Sequence, residues 1–301
     1  MDRRSYNGAV SPALRSAPSA GDAACVVCGD TRWTPRFTKD GWRFARCGGC
    51  GLTSLQPLPT PADLARHHEA SYRDGRYATF ARAENARAAV AAHRFTLVRP
   101  LAPAGSWLDL GCSTGTFLAV LAAAGIPAEG VEVSSAAAGE ARARGCTVHA
   151  GSVETFEPAR RFAAVTAFDV VEHVPDPAAL LARVASWLLP GGVLALTLPD
   201  ARSWTATAMG RHWFYYTAPD HVHYFTPPTI TRLLARAGFT DVHVRPTRKP
   251  LPLDYAAEQL RHLVPPLAPL ARALEWIAPA GRAIPLPLGE MLVTARPAPT
   301  A

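Results

Sequence analysis

The sequence predicts an α/β fold, a largely parallel sheet wrapped by helices, with a small separate module ahead of it. Three observations carry this. From Ser106 onward, short apolar segments alternate with helical ones. The first apolar segment, Trp107 to Leu110, runs directly into a turn holding Gly111 and Gly115. Four of the six cysteines fall as two Cys-x-x-Cys pairs within the first fifty residues. The 301 residues suffice for one α/β domain of roughly 200 residues plus an appendage. Hydrophobic residues at 49% and charged residues at 18% are a core-forming balance.

The cysteine pattern is Cys25-x2-Cys28, eighteen intervening residues, then Cys47-x2-Cys50. Each pair points two thiolates at one place, and two such knuckles complete a tetrahedral sulfur shell for Zn2+. Trp33, Phe37, Trp42 and Phe44 lie between the knuckles and can fill a small hairpin core. The expected organisation is a disordered tail over 1–22, a zinc ribbon over 23–56, and a linker with a helical segment over 57–99. The main domain then runs over 100–301. A closed four-thiolate site has no open coordination position, so its expected role is structural.

The formal charge is +7, yet only Lys39 and Lys249 are lysines and no run of five like charges occurs. An avid nucleic-acid arm is therefore not indicated. No apolar run reaches the ~18 residues of a membrane span and the N-terminus lacks a secretory signal pattern, which predicts a cytoplasmic protein.

The elements follow in order. Residues 63–99 read as helical with a break near Asp74-Gly75, and His67 and His68 read as an exposed helical face. Phe117 to Ala124 reads as a helix stopped by Gly125. A second strand near Ala128 to Val133 carries Glu132, and Ser134 caps the next helix. A third strand is expected near Cys146 to His149. Asp176 and Pro177 start a helix after the fourth strand, and Val193 to Leu198 forms a fifth. Thr226-Pro227 starts a helix closed by Gly238. Asp241 to Val244 and Met291 to Ala295 supply two last strands, with a helical cover at about 251–288 between them.

The glycine turn is where function enters. Gly111 and Gly115 let the backbone pass close to a ligand at the carboxyl end of the first strand, and Glu132, 21 residues after Gly111, can accept both hydroxyls of a ribose. A dinucleotide turn would place glycines where Ser113 and Thr116 stand, which weakens a nicotinamide reading. Four blocks occur in order: Asp109-Leu-Gly-Cys-Ser-Thr-Gly115, Phe168-Asp-Val-Val-Glu-His-Val-Pro-Asp-Pro177, Leu189-Pro-Gly-Gly-Val-Leu194 and His221-Val-His-Tyr-Phe-Thr226. On them the chain resembles the class I S-adenosylmethionine-dependent methyltransferases, and more closely the small-molecule family that includes the ubiquinone-biosynthesis O-methyltransferases. The resemblance implies a seven-stranded Rossmann-like sheet with an antiparallel last strand. It implies that Gly111, Ser113 and Gly115 line the methionine and ribose of S-adenosylmethionine, that Asp109 orients its amino group and that Glu132 holds the ribose. Asp169 counts among the cofactor residues. Ser152 stands where many relatives place an aspartate near the adenine.

Transfer to a hydroxyl needs a base, and His173, His221 and His223 are the candidates. His173 lies at the end of the fourth strand; the other two belong to a long aromatic segment, Trp204 to Phe225, that reads as a lid or acceptor pocket, or as a local core. The expected activity is methylation of a small organic acceptor such as a sugar, a polyketide or aromatic hydroxyl, or a quinone-like lipid. Secondary metabolism or cell-envelope and glycan biosynthesis is the expected setting. An RNA methyltransferase using Arg32, Arg36, Lys39, Arg43 and Arg46 of the ribbon is the alternative, with a non-catalytic cofactor-binding protein as a third. Residues 251–288 could also meet a membrane surface or form a homodimer face.

Overall fold

The computed structural model describes residues 23–60, 62–64, 66–67, 84–252 and 283–299. The tail over 1–22, His68, the helix break near Asp74 and the segment 253–282 lie outside the described residues.

The ribbon consists of β1 (Trp33–Lys39), β2 (Trp42–Cys47) and β3 (Thr53–Leu55). After it come α1 (Glu84–Val98), β4 (Trp107–Leu110), α2 (Thr116–Ala123), β5 (Ala128–Glu132), α3 (Ser135–Ala143), β6 (Val148–Ala150) and β7 (Phe162–Phe168). The chain continues through α4 (Pro177–Trp187), β8 (Leu188–Pro199), α5 (Trp204–Met209), β9 (His223–Tyr224), α6 (Pro227–Arg236), β10 (Phe239–Pro252) and β11 (Ala283–Pro297).

The main sheet has seven strands in the order β10-β11-β8-β7-β4-β5-β6. Strands β6, β5, β4, β7 and β8 are parallel, and β11 is antiparallel to both neighbours. The central strand β7, Phe-Ala-Ala-Val-Thr-Ala-Phe, is buried along its whole length, as a parallel strand covered on both faces must be. Leu180, Leu181, Val184, Ile230, Leu233 and Leu234 of α4 and α6 cover one face. Ala91, Val98, Phe117, Leu121, Ala138 and Ala141 of α1, α2 and α3 cover the other.

The expected caps are present. Ser134 accepts from the Ala137 amide, Asp176 from that of Ala179, and Thr226 forms a reciprocal capping box with Thr229. Two expectations about the C-terminal third need correction. The last two strands are far longer than expected, β10 reaching Pro252 and β11 starting at Ala283, so 251–252 and 283–288 are strand rather than helical cover. Cross-strand pairing from Lys249–Leu286 to Pro252–Ala283 accounts for this, a long-range ladder that prolines in the local sequence disguise.

The ribbon is also no separate appendage. Its sheet runs β1-β2-β3-β9, so its fourth strand comes from the far end of the main domain. Trp42, Phe44 and Leu55 pack with Trp213, Tyr216, Val222 and Tyr224, while Cys25, Val27, Cys47 and Leu52 join the core beneath α6. The aromatic segment is thus a packed joint, the local core that was one reading of the sequence. Trp213, fully buried there, donates its indole N–H to Thr205 Oγ1 at 3.3 Å. Trp213→Ala should therefore cost about 3–5 kcal/mol, seen as a lower urea midpoint at unchanged m-value.

Candidate functional site

The turn after β4 is built by backbone geometry. Gly111 and Gly115 sit at φ +68° and +80°, and a Cβ on Gly111 would stand 2.6 Å from the Val170 side chain. Between them Ser113 adopts φ +50°, the left-handed conformation that explains why glycine is usual here. Its N–H donates to Glu132 Oε2 at 2.8 Å, and the Ser134 N–H donates to Oε1 at 2.8 Å. Glu132 is therefore locked at the end of β5 with one lone pair on each oxygen left over, the pair of acceptors a ribose diol fits. Burial raises its carboxyl, and these amides oppose the rise.

Asp109, at the carboxyl end of β4, is buried and accepts from Thr166 Oγ1 at 2.6 Å. Burial pushes its carboxyl up to about 7. Ser152 is paired with Glu154 beyond β6, at the same edge of the sheet. The cradle thus brings Asp109, Gly111, Ser113, Gly115 and Glu132 together. Asp169 is also at this edge, but its carboxylate is committed elsewhere: Arg94 Nη2 donates to Oδ2 at 2.6 Å, Thr197 Oγ1 to Oδ1 at 3.0 Å, and Lys249 Nζ lies 3.8 Å away. Despite burial, those cations hold it well below the usual carboxylate range. Lys249 also donates to Glu290 at 2.7 Å, and Tyr215 donates its hydroxyl to the same carboxylate.

The three histidines differ sharply. His173 Nδ1 faces the Asp220 carbonyl at 2.8 Å and His221 Nδ1 faces the Tyr215 carbonyl at 2.9 Å. A carbonyl only accepts, so both rings carry the proton on Nδ1. The rings meet edge to face with centroids 4.7 Å apart. Burial lowers His221 below the ordinary histidine value, leaving it neutral with a basic Nε2. His223 uses both nitrogens, Nε2 with the Pro175 carbonyl at 3.1 Å and Nδ1 with Ser54 Oγ at 2.8 Å, and burial lowers it to about 4. Both of its ring nitrogens are thereby engaged.

His67, expected on an exposed face, instead meets Asp220 Oδ1 through Nε2 at 2.7 Å with its side chain 9% exposed. No local pattern signals this partner 153 residues away. Sequence reasoning also passed over Glu172. It is 1% exposed, neither carboxyl oxygen has a hydrogen-bond partner among the described residues, and burial together with the Asp169 charge pushes its carboxyl well above the usual range. Ligand atoms of Glu172, His173 and His221 lie within 4.8 Å of one another, a set that could hold a metal. The four ribbon cysteines form a second such set, with Sγ–Sγ distances of 3.5 Å for Cys25–Cys50 and Cys28–Cys47. A tetrahedral site with metal–sulfur bonds of ~2.3 Å has edges of about 3.8 Å, so the thiols fit one ion. Burial pushes Cys25 up to about 11 and raises Cys50, a cost that a bound dication offsets.

Sheet order, glycine turn and locked carboxylate together define a class I S-adenosylmethionine-dependent methyltransferase domain. A family model described as "Methyltransferase domain" matches residues 67–244, more than half of the chain, so the chain belongs to that family. Among its relatives, a ubiquinone biosynthesis O-methyltransferase of Aromatoleum aromaticum is 30% identical over 145 residues, 44% of this chain and 62% of that protein. A trans-aconitate 2-methyltransferase of Methylobacterium radiotolerans is 36% identical over 127 residues, 41% of this chain and 48% of that protein. The chain thus spans about half to two thirds of these relatives' length. A solved SAM-dependent methyltransferase of Thermotoga maritima shares the fold at TM-score 0.52 and 20% identity, covering 72% of this chain and 94% of that one.

Asp109 supplies a pH test. Folding raises its carboxyl from an ordinary value of about 3.9 to about 7. The folded state therefore holds a proton that the unfolded chain releases, and stability falls as pH rises through that window. Asp109→Asn should flatten the slope, at most about 1.4 kcal/mol per pH unit, in urea titrations across it.

Proposed function

We propose that this chain transfers a methyl group from S-adenosylmethionine to an oxygen of a small organic acceptor, with Zn2+ held structurally by Cys25, Cys28, Cys47 and Cys50. The observation that carries the proposal is the Glu132 carboxylate, locked by two backbone amides beside the Gly111–Gly115 turn. S-adenosylmethionine supplies an electrophilic sulfonium methyl. Glu132 binds the ribose diol, Asp109 faces the amino group, and the turn carries the methionine portion. His221 takes the acceptor's proton at Nε2, and its Nδ1–H, anchored on Tyr215, keeps that lone pair in place. His173, edge to face with it, shapes the same pocket wall.

The relatives named for ubiquinone and trans-aconitate methylation support a small acceptor, among which a sugar, an aromatic or polyketide hydroxyl and a quinone-like lipid remain the classes considered. Arg36 is spent on Thr53 and Tyr216, Lys39 on the Tyr216 carbonyl, Arg43 on the Gln56 carbonyl and Arg32 on Asp30. Lys39 is thus half-buried, while Arg32, Arg36 and Arg43 stay exposed despite these contacts. Among the described residues no helix is long and apolar enough to cross a membrane.

Calorimetric titration with S-adenosylhomocysteine should show micromolar binding, lost in Glu132→Ala, with about one zinc per chain; a wild-type protein that binds none overturns the reading. On an accepted substrate, His221→Ala should lower kcat by about 10²–10⁴. The acid limb of the wild-type profile should lie below about 6.5, because His221 is depressed; a limb above it rules His221 out as the base.

A further inference from the structure

The backbone of Val222 and His223 lies between two elements far apart in sequence. On one side it meets the ribbon: the Leu55 N–H donates to the Val222 carbonyl at 3.0 Å, and Thr53 and Ser54 pair with Tyr224 and His223. On the other it meets the turn after β7: the Val222 and His223 amides donate to the Glu172 carbonyl at 2.9 and 3.2 Å. The His223 side chain repeats the bridge. Its Nε2–H donates to Pro175, which leaves Nδ1 as an acceptor 2.8 Å from the Ser54 hydroxyl, whose single hydrogen it shares with the Val222 carbonyl at 3.0 Å. Ser54, buried, is four residues after Cys50, and the Leu52 carbonyl that opens β3 accepts from the Cys47 amide inside the second knuckle at 2.8 Å. An unbroken path of short contacts therefore joins the four-thiolate site to the two segments that present His221 and His173.

We propose that the ribbon is a positioning element of the acceptor pocket: through Ser54 and His223, its metal-bound knuckle holds the His221 segment against the Glu172–His173 turn and leaves the cofactor cradle independent of it. This rests on the assignment of the acceptor pocket to His173 and His221. The Glu132 carboxylate is held by the Ser113 and Ser134 amides at the end of β5, on the side of β4 opposite the turn after β7.

The test uses the full chain with and without its metal, removed by chelation. Backbone hydrogen exchange over 221–225 and 171–174 should speed up by about tenfold or more, while the β4 and β5 amides and the affinity for S-adenosylhomocysteine change by less than about twofold. Unchanged exchange at 221–225, or loss of protection across the whole sheet, overturns the proposal. In the metal-loaded protein, Ser54→Ala should likewise speed backbone exchange over 221–225 and raise the acceptor KM more than it lowers kcat. Ser54→Thr, which keeps the hydroxyl, should restore both. Unchanged exchange over 221–225 in Ser54→Ala also overturns it. Exchange needs no turnover, so failure of the methyl-transfer reading would show separately, as absent cofactor binding.

Discussion

Two peptide groups, those of Val222 and His223, hydrogen-bond in both directions at once, and the acceptor half of the molecule is organised around them. Buried backbone amides and carbonyls must find partners, and here partners come from a ribbon strand near residue 54 and from a turn near residue 172. Neither element could hold its place alone. A three-residue strand such as β3 is too short to persist outside a larger sheet, and the turn after β7 leaves the sheet with nothing ahead of it. Closing both onto one strand brings His173 and His221 edge to face.

Charge follows a different logic at the same edge. Arg94, Asp169, Lys249, Glu290 and Tyr215 come from α1, the end of β7, β10, β11 and the aromatic joint. Desolvating these groups costs free energy that only mutual pairing returns, so the network specifies which elements meet more than it adds net stability. Glu172 stands beside it without a hydrogen-bond partner among the described residues, and burial with the Asp169 charge raises its carboxyl well above the usual range.

Much of this was legible in the sequence wherever the determinant is local. Gly111 and Gly115 announced a turn that lets the backbone approach a ligand, Ser134, Asp176 and Thr226 announced helix starts, and the cysteine spacing announced one shared thiolate site. The seven-stranded sheet and its antiparallel strand followed from the family blocks. What escaped is long-range. His67 pairs with Asp220, Arg94 with Asp169 and Ser54 with His223, and periodicity carries no trace of such partners. The aromatics from Trp213 to Phe225 could be a lid, an acceptor pocket or a local core on sequence alone, because burying them needs ribbon side chains that come more than 150 residues earlier. The length of β10 and β11 was hidden because each strand's register is set by the other.

The shared four-stranded sheet bears on how such a protein can change over evolutionary time. A small ribbon module joined by a flexible tether can be lost, gained or exchanged between lineages at little cost to its host. This one cannot, because removing it would strip the cover from Trp213, Tyr216, Val222 and Tyr224 and leave β9 as an open, apolar edge inviting aggregation. Ribbon and acceptor wall are bound to be inherited as one unit, and a substitution on either side of the seam is answerable to the other.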